Sequence, residues 1–544
     1  MQEGSKFLKG ALILTIANII VKILGAVYRI PLLRILGEEG MGLFMAVYPF
    51  YATMLSISTA GVPLAVSKLV SEKIALDNYD GARQVFRVAR SMMLASGLIV
   101  TGILVFATPY YTSKVLKVPR TLYPMLAIAP SIVFYAVKSA FRGFFQGQQR
   151  MGPSAAASVV EQLVRVATIF LLAILLMNYS LELGAAGAAF GSVTGAAAGF
   201  FLLLFYYLRT GPEYASLAAR GTNNALAPTK QVLKEIFALA LPITVGSVIV
   251  PIVNMVDSSL ILPRLQAGGF SEKAALGMLG IFSGAAMSLV NVPTIFTLGL
   301  GASLLPAIAE AYAHKQYDLI SRLSNLSVRV GQIIALPSAI GLFVLSEPIS
   351  IFLFDNIAVA RPLSVAAFSA VFIILNHTTT PVLQGLGKTY LPIVHMLYGL
   401  LAKIVINYYF TPIPAINILA PAAGTIVAFA LAAFFNLRSI RKLVGLGVSF
   451  YDGFIKPFFN AVLMGVSLFF IHPQFEKLAR AILGSRGSAF SLNGLSVLMS
   501  VGLGIGVYAV ATLLTGTLTR AELEPIPKIG PKLADLLSRF RLLK

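Results

Sequence analysis

AAASVVEQLVRVATIFLLAILLM, residues 155–177, is an apolar run of 23 positions broken by only two charges, Glu161 and Arg165. At 1.5 Å per helical residue, about 20 such residues cross the ~30 Å hydrocarbon layer of a bilayer. Working outward, the pattern recurs at 8–35, 43–69, 91–111, 122–145 and 183–208, which completes six segments. Beyond a polar stretch come 236–262, 276–300, 328–345, 363–386, 391–410 and 416–437, then 454–471 and 492–514. The reading is an all-α integral membrane protein with 14 transmembrane helices. Its divisions are a six-helix lobe (1–209), a linker (210–235), a second six-helix lobe (236–445), two extra helices (446–516) and a basic amphipathic tail (517–544). That tail is expected to lie on the cytoplasmic membrane surface.

Composition agrees. The 544 residues are 57% hydrophobic and 12% charged, with a mean hydropathy of +0.85; a soluble surface needs about 25% charged residues. The absence of Cys excludes disulfide scaffolds, thiolate metal sites and cysteine nucleophiles, and four His give no dense imidazole cluster. The net charge of +21 would suggest nucleic acid in a soluble chain. Here loop placement accounts for it and no nucleic-acid partner is inferred. With both termini cytoplasmic, 27 Lys and Arg fall in inside segments, 10 in outside loops and five (Lys22, Arg29, Lys138, Arg165, Lys403) within spans. The first segment follows Lys6 and Lys9 as a signal peptide would, but it lacks a small-residue cleavage site and reads as a retained span.

The sequence also matches itself at a constant offset. Gly42 and Phe44 meet Gly280 and Phe282, Gly61 meets Gly299, Glu72 meets Glu310, Tyr79-Asp80 meets Tyr317-Asp318, Gln146-Gly147 meets Gln384-Gly385, and Arg165 meets Lys403. Every pair is 238 residues apart, and the polar matches are not explained by shared apolar composition. The shift spans six helices, an even number, so both copies enter the membrane in the same sense. Two such lobes suit a carrier that rocks about a site between them.

A charge at membrane depth costs about 2.5–3.5 kcal/mol on insertion scales, so each calls for a reason. Lys22, Gly25 and Arg29, at i, i+3 and i+7, place two cations on one helix face with a glycine between them. Asp257, with Asn254 one turn before it and Pro251 behind, is the anionic counterpart in the second lobe; its alternatives are a cavity or an aqueous helix end. Glu161 and Arg165, at i, i+4, have the spacing of a self-neutralising pair. Lys403, the repeat mate of Arg165, has no carboxylate one turn away and needs a partner on another helix or water. Asn291, Asn376 and His377 are expected to make interhelical hydrogen bonds. No Walker A, HExxH, GxSxG or kinase signature occurs, so neither ATP-driven pumping nor enzymatic hydrolysis is expected.

Lys22-Ile-Leu-Gly25 through Val27-Tyr28-Arg29, with Leu36-Gly37-Glu38-Glu39-Gly40, resembles the opening of the polysaccharide branch of the multidrug/oligosaccharidyl-lipid/polysaccharide exporter superfamily. Arg142-Gly143-Phe144-Phe145-Gln146-Gly147, followed by Met151, Pro153, Glu161-Gln162 and Arg165, is similar to that branch's fourth-to-fifth helix signature, and 403–408 to its eleventh helix. The pattern is near the MurJ-type lipid II flippases and the stage V sporulation protein B group. The resemblance implies two six-helix lobes, two extra helices forming a lipid-tail groove, and alternating access that turns a lipid-linked sugar outward. It also implies a cationic cavity for the substrate pyrophosphate. Lys22 falls where MurJ proteins carry a first-helix arginine and Gly25 matches their glycine, whereas Tyr28 replaces a second arginine and Arg29 an acidic residue.

The resulting expectation is a secondary transporter of the bacterial cytoplasmic membrane that flips undecaprenyl-pyrophosphate-linked peptidoglycan precursor, with Lys22, Gly25 and Arg29 on the pyrophosphate. Asp257, Asn254, Lys403, Arg165 and Glu161 would form a coupling or charge switch. No cofactor or metal is expected; a monovalent cation or the membrane potential would bias the cycle. Membrane lipids and cell-wall synthases are the remaining expected partners. Another lipid-linked glycan, a spore-cortex precursor and a non-transporting scaffold are the alternatives. Two cations in a low-dielectric cavity attract a diphosphate far more strongly than they do in water.

Overall fold

In hydrocarbon a backbone must satisfy its own N–H and C=O groups, which leaves a chain of this hydropathy only helices or a closed barrel. The computed structural model describes residues 2–220, 225–445, 451–483 and 489–517, and every regular element among them is helical. The first ten helices are α1 (Gln2–Val27), α2 (Arg29–Thr59), α3 (Val62–Ala75), α4 (Tyr79–Tyr110), α5 (Leu122–Ile128), α6 (Ser131–Gly147), α7 (Met151–Met177), α8 (Leu181–Arg220), α9 (Thr229–Ala267) and α10 (Glu272–Leu279). After a π-helical stretch, Gly280–Ala286, come α11 (Met287–Asn291), α12 (Thr294–Ala313), α13 (Tyr317–Val344), α14 (Ser346–Phe354), α15 (Ala360–Ala367), α16 (Ser369–Gly385), α17 (Tyr390–Phe410), α18 (Leu419–Val444), α19 (Lys456–Leu483) and α20 (Ala489–Leu514).

Among the described residues, thirteen helices are long and apolar enough to cross a membrane, or 14 if the bent pair Ile357–Ala367 and Ser369–Gly385 is one span. The first two expected segments run together as Ile13–Ala75, broken by Gly37 at φ +68°, a left-handed conformation that favours glycine. The eighth divides into Glu272–Asn291 and Thr294–Ala313. Outward-facing Phe106, Phe469, Phe470 and Leu514 are exposed, as befits a surface solvated by acyl chains. The amphipathic tail expected at 517–544 lies, from 518 onward, outside the described residues.

The repeat is legible in the backbone. Helices α4 and α13 begin at Tyr79 and Tyr317, α6 and α16 run Ser131–Gly147 and Ser369–Gly385, and α8 and α18 begin at Leu181 and Leu419. The left-handed residues Asp77, Lys117 and Gln149 recur as Lys315, Asp355 and Gly387. Each of these pairs is separated by the offset of 238 found in the sequence.

The chain forms two compact units, Met1–Gly280 and Ile281–Lys544. The first extends beyond the expected boundary at 210–235 because α9 and α10 pack directly on α2 and on its junction with α3. A Cβ on Gly61 would stand 2.1 Å from the Ala240 carbonyl oxygen, and the Gly61 N–H donates to Thr244 Oγ1 at 3.1 Å. A Cβ on Gly42 would stand 2.0 Å from the Leu276 oxygen, and one on Gly280 would stand 2.2 Å from the Glu38 oxygen. Gly42 and Gly280 are repeat mates, as are Glu38 and Leu276, so this backbone crossing is reciprocal under the repeat.

The expected linker is also shorter than its composition suggests. Helix α8 continues to Arg220 because Tyr214 is buried. Its ring meets Tyr79 edge-on at 5.8 Å and Phe144 at 5.5 Å, and its hydroxyl donates to the Tyr79 carbonyl at 3.1 Å. Along the same helix, Gly187, Gly191, Gly195 and Gly199 form a four-residue stripe against the α7 backbone at Leu172, Arg165, Glu161 and Ala157. Small residues at this spacing let membrane helices approach closely. In the second unit Gly399 of α17 abuts Ala428 of α18, and α19 is tied to the end of α20 by Asn460 Nδ2 donating to Thr515 and Thr517.

Candidate functional site

The α7–α8 stripe holds Glu161 and Arg165 beside α6, whose Tyr135, Lys138 and Arg142 face them. Arg165 Nη2 donates to Glu161 Oε1 at 2.8 Å, confirming the i, i+4 pair. The pair is not self-contained. Lys138 Nζ donates to Glu161 Oε2, and Tyr135 Oη donates to Oε1 at 2.5 Å. The Lys138 ammonium also lies 4.0 Å from the Tyr135 ring centroid, and the Arg165 guanidinium lies 5.8 Å from it. Arg142, one turn beyond Lys138, is a third cation within electrostatic reach of Glu161. Two cations thus pair with one carboxylate and Arg142 stands within its field, a formal surplus of two positive charges.

This cluster has more donors than acceptors. Lys138 is only 4% exposed and Gln162 only 2%. The Arg142 Nε, Arg165 Nε and Gln162 Nε2 atoms are buried without a hydrogen-bond partner. Buried N–H groups are normally paired, and each one left unpaired costs about 1–3 kcal/mol. A multi-oxygen anion has the complementary chemistry, since each oxygen accepts charge-assisted bonds.

Helix α1 joins the site at Gly25, where a Cβ would stand 3.7 Å from Gln162 Nε2. Thus the expected substrate helix lies against the helix of Glu161 and Arg165. Lys22, one turn earlier, is exposed, while Arg29 is half-buried with its Nε enclosed. Asp257 is half-buried on α9, Asn254 is exposed, and the adjoining Ser258 donates to the Ala46 carbonyl of α2 at 3.2 Å. Lys403 belongs to the other unit, buried on α17 with its Cγ against Gly424. Among the described residues no group of three or more His, Asp or Glu side chains is arranged to hold a metal.

Two groupings lie beyond the sequence reading. Lys138, Arg142 and Tyr135 join Glu161 from a neighbouring helix; the available signal was the i, i+4 cation pair within one apolar segment. In the second unit, His395 Nδ1 lies 2.7 Å from Asn436 Oδ1, and Asn436 Nδ2 donates to Thr379 at 3.1 Å and Asn376 at 3.4 Å. Asn376 therefore makes the expected interhelical bond. Asn291 instead donates to Met287 O of its own helix at 2.7 Å. The repeat mates of Lys138, Arg142, Glu161 and Arg165 are Asn376, Thr380, Gly399 and Lys403, so the second copy keeps one charge of four.

At the opposite end of α7, Arg120 meets Glu39 and Glu182 at 2.5 Å each and Glu272 at 3.8 Å, tying together the starts of α8 and α10 and the bend in α2. All four residues fall on the face that the charge rule assigns to the outside.

A family model described as polysaccharide biosynthesis protein matches residues 7–312, more than half of the chain. The chain belongs to this family. The MatE model matches residues 242–409, placing this polysaccharide biosynthesis family member in the multidrug/oligosaccharidyl-lipid/polysaccharide exporter superfamily. It is 26% identical over 526 residues to stage V sporulation protein B of Bacillus subtilis (strain 168), covering 96% of this chain and 98% of that relative. It is 29% identical over 453 residues to lipid II flippase MurJ of the same organism, covering 80% and 81%. A solved lipid II flippase MurJ in an inward closed conformation shares the fold with a TM-score of 0.65 at 15% identity, over 93% of this chain and 98% of that one.

Proposed function

We propose that this membrane protein is a flippase for an undecaprenyl-pyrophosphate-linked peptidoglycan precursor, lipid II, working by alternating access in the bacterial cytoplasmic membrane with both termini inside. The observation that carries the reading is the surplus of positive charge and unused N–H donors on α6 and α7, beside α1, the helix of Lys22 and Gly25; Arg29 opens α2. Two unit charges 4 Å apart interact by about 1 kcal/mol in water and about 4 kcal/mol at the effective dielectric of a protein pair. A site of this kind therefore favours a diphosphate over the organic cations that an acidic cavity would take. No bond in the substrate is broken; binding and reorientation are the whole reaction. Lys22, Gly25 and Arg29 would meet the pyrophosphate, and Asp257, Asn254 and Lys403 would switch partners between states, biased by a monovalent cation or the membrane potential. A spore-cortex precursor is the second reading, supported by the nearly full-length match to the sporulation protein.

The test is reconstitution in vesicles with lipid II and a headgroup-specific probe, comparing wild type with Lys22→Ala and Arg29→Ala. Translocation by wild type and its loss in both variants is expected. Equal rates in all three would remove these two residues from the site, and no translocation by folded wild type would overturn the flippase reading.

A further inference from the structure

Glu161 is the one carboxylate among the three cations of this cluster, and all its identified donors are ones that a phosphate would also use. We propose that the α6–α7 cluster is itself a diphosphate site, in which Glu161 acts as a tethered counter-ion that holds Lys138, Arg165 and Tyr135 until phosphate oxygens replace it. The identity of the natural anion rests on the flippase reading; the anion site does not.

Three features support the exchange. Without an incoming anion, the carboxylate prevents Lys138 and Arg165 from being stranded in the interior, where an uncompensated charge is severely unfavourable. With only two oxygens, however, it leaves Arg142 Nε, Arg165 Nε and Gln162 Nε2 unpaired. A diphosphate brings more oxygens and more negative charge, so it can satisfy the donors Glu161 leaves over as well as those it holds. Gly25 adds a close approach. It brings α1, the helix of Lys22, against the Gln162 amide, where a Cβ would stand 3.7 Å from Nε2. The second unit lacks this arrangement: Asn376, Thr380 and Gly399 stand at the corresponding positions, which confines the exchange to one half of the molecule.

A tethered competitor makes an unusual prediction: removing an acidic residue strengthens binding, and removing its partners weakens it. The experiment measures binding of inorganic pyrophosphate to the full-length protein in phosphatidylcholine nanodiscs, with sulfate as a control for charge alone and undecaprenyl pyrophosphate as the lipid-linked arm. Glu161→Gln is expected to bind both diphosphates about tenfold more tightly, and Lys138→Gln and Arg165→Gln about tenfold more weakly, as befits a charge-assisted bond. Glu161→Asp, whose shorter arm loosens its hold on the donors, provides the same direction of change if Glu161→Gln does not fold. Tightening only toward the lipid-linked form would assign the site to the substrate headgroup; tightening toward both assigns it to diphosphate generally. Unchanged or weaker binding by the folded Glu161 variants, or sulfate bound as well as pyrophosphate, would overturn the proposal. Wild type that binds pyrophosphate but does not translocate lipid II would overturn the flippase reading while leaving the anion site intact.

Discussion

Gly42→Ala adds one methyl group where the structure has no room for it. The new Cβ would lie 2.0 Å from the Leu276 carbonyl oxygen, and real Cβ atoms essentially never come within 3.0 Å of such a neighbour. Because the neighbour is helix backbone, α2 and α10 must part by roughly 1 Å at the crossing. A gap of 0.5–1 Å forfeits a quarter to a half of each contact's ~0.1–0.2 kcal/mol. Over a few tens of atom pairs the loss is about 1–3 kcal/mol, the usual range for overpacking. In detergent the melting temperature of the first unit, Met1–Gly280, should fall by roughly 2–5 °C. Gly280→Ala, whose Cβ would meet the Glu38 oxygen at 2.2 Å, should behave likewise. The double variant should cost less than the sum, because helices already parted have room for the second methyl. Gly102→Ala and Gly299→Ala, with nothing within 4 Å, serve as controls and should melt within about 1–2 °C of wild type. A Gly42→Ala protein as stable as the Gly102→Ala control, or two single effects that add in full, would refute the reasoning.

Gly61→Ala should be destabilised while its repeat mate Gly299→Ala is not, since only the first meets backbone at 2.1 Å; parallel thermal melts decide this. Arg120→Ala should cost about 1 kcal/mol at low salt and much less at 1 M, because the guanidinium is about one-third exposed and its attraction to three carboxylates is screened; unfolding at two ionic strengths measures it. His395→Ala should cost about 1–3 kcal/mol by leaving the Asn436 side-chain oxygen without its partner, whereas Ser439→Ala, 3.4 Å from the other ring nitrogen, should cost less. Tyr214→Ala should unwind the end of α8 and create protease cleavage between 210 and 220, a product visible by mass spectrometry.

The number and type of helices were legible because the apolar length required by a bilayer is a coarse signal that survives almost any sequence detail. The 238-residue offset was equally legible, and its structural echo at Asp77 and Lys315 is stronger than the sequence match, since neither residue type needs to be retained for the backbone turn to persist. Helix ends were harder. Residues 210–220 read as polar, yet Tyr214 finds an aromatic pocket built from Tyr79 and Phe144, which no local pattern reveals. The Glu161–Arg165 pair followed from spacing alone, while the third and fourth members of its cluster did not. Lys138 and Arg142 reach it across a helix interface, and that approach depends on glycines of α8 that hold α7 in place. Asn291 shows the opposite error: an apparently costly amide needed no neighbour because its own helix supplied a carbonyl one turn away.

The uneven division of charge between the two copies has an electrical consequence. If the cluster around Glu161 is displaced across even part of the bilayer field, its two surplus charges do work at about 2.3 kcal/mol per charge per 100 mV for a full crossing. With Asn376, Thr380 and Gly399 neutral, the second copy keeps only the single charge of Lys403, half as much to contribute. Any rocking that moves the first cluster would therefore register as a capacitive transient on a supported bilayer, and replacing Arg142 with a neutral side chain would shrink that transient by about half.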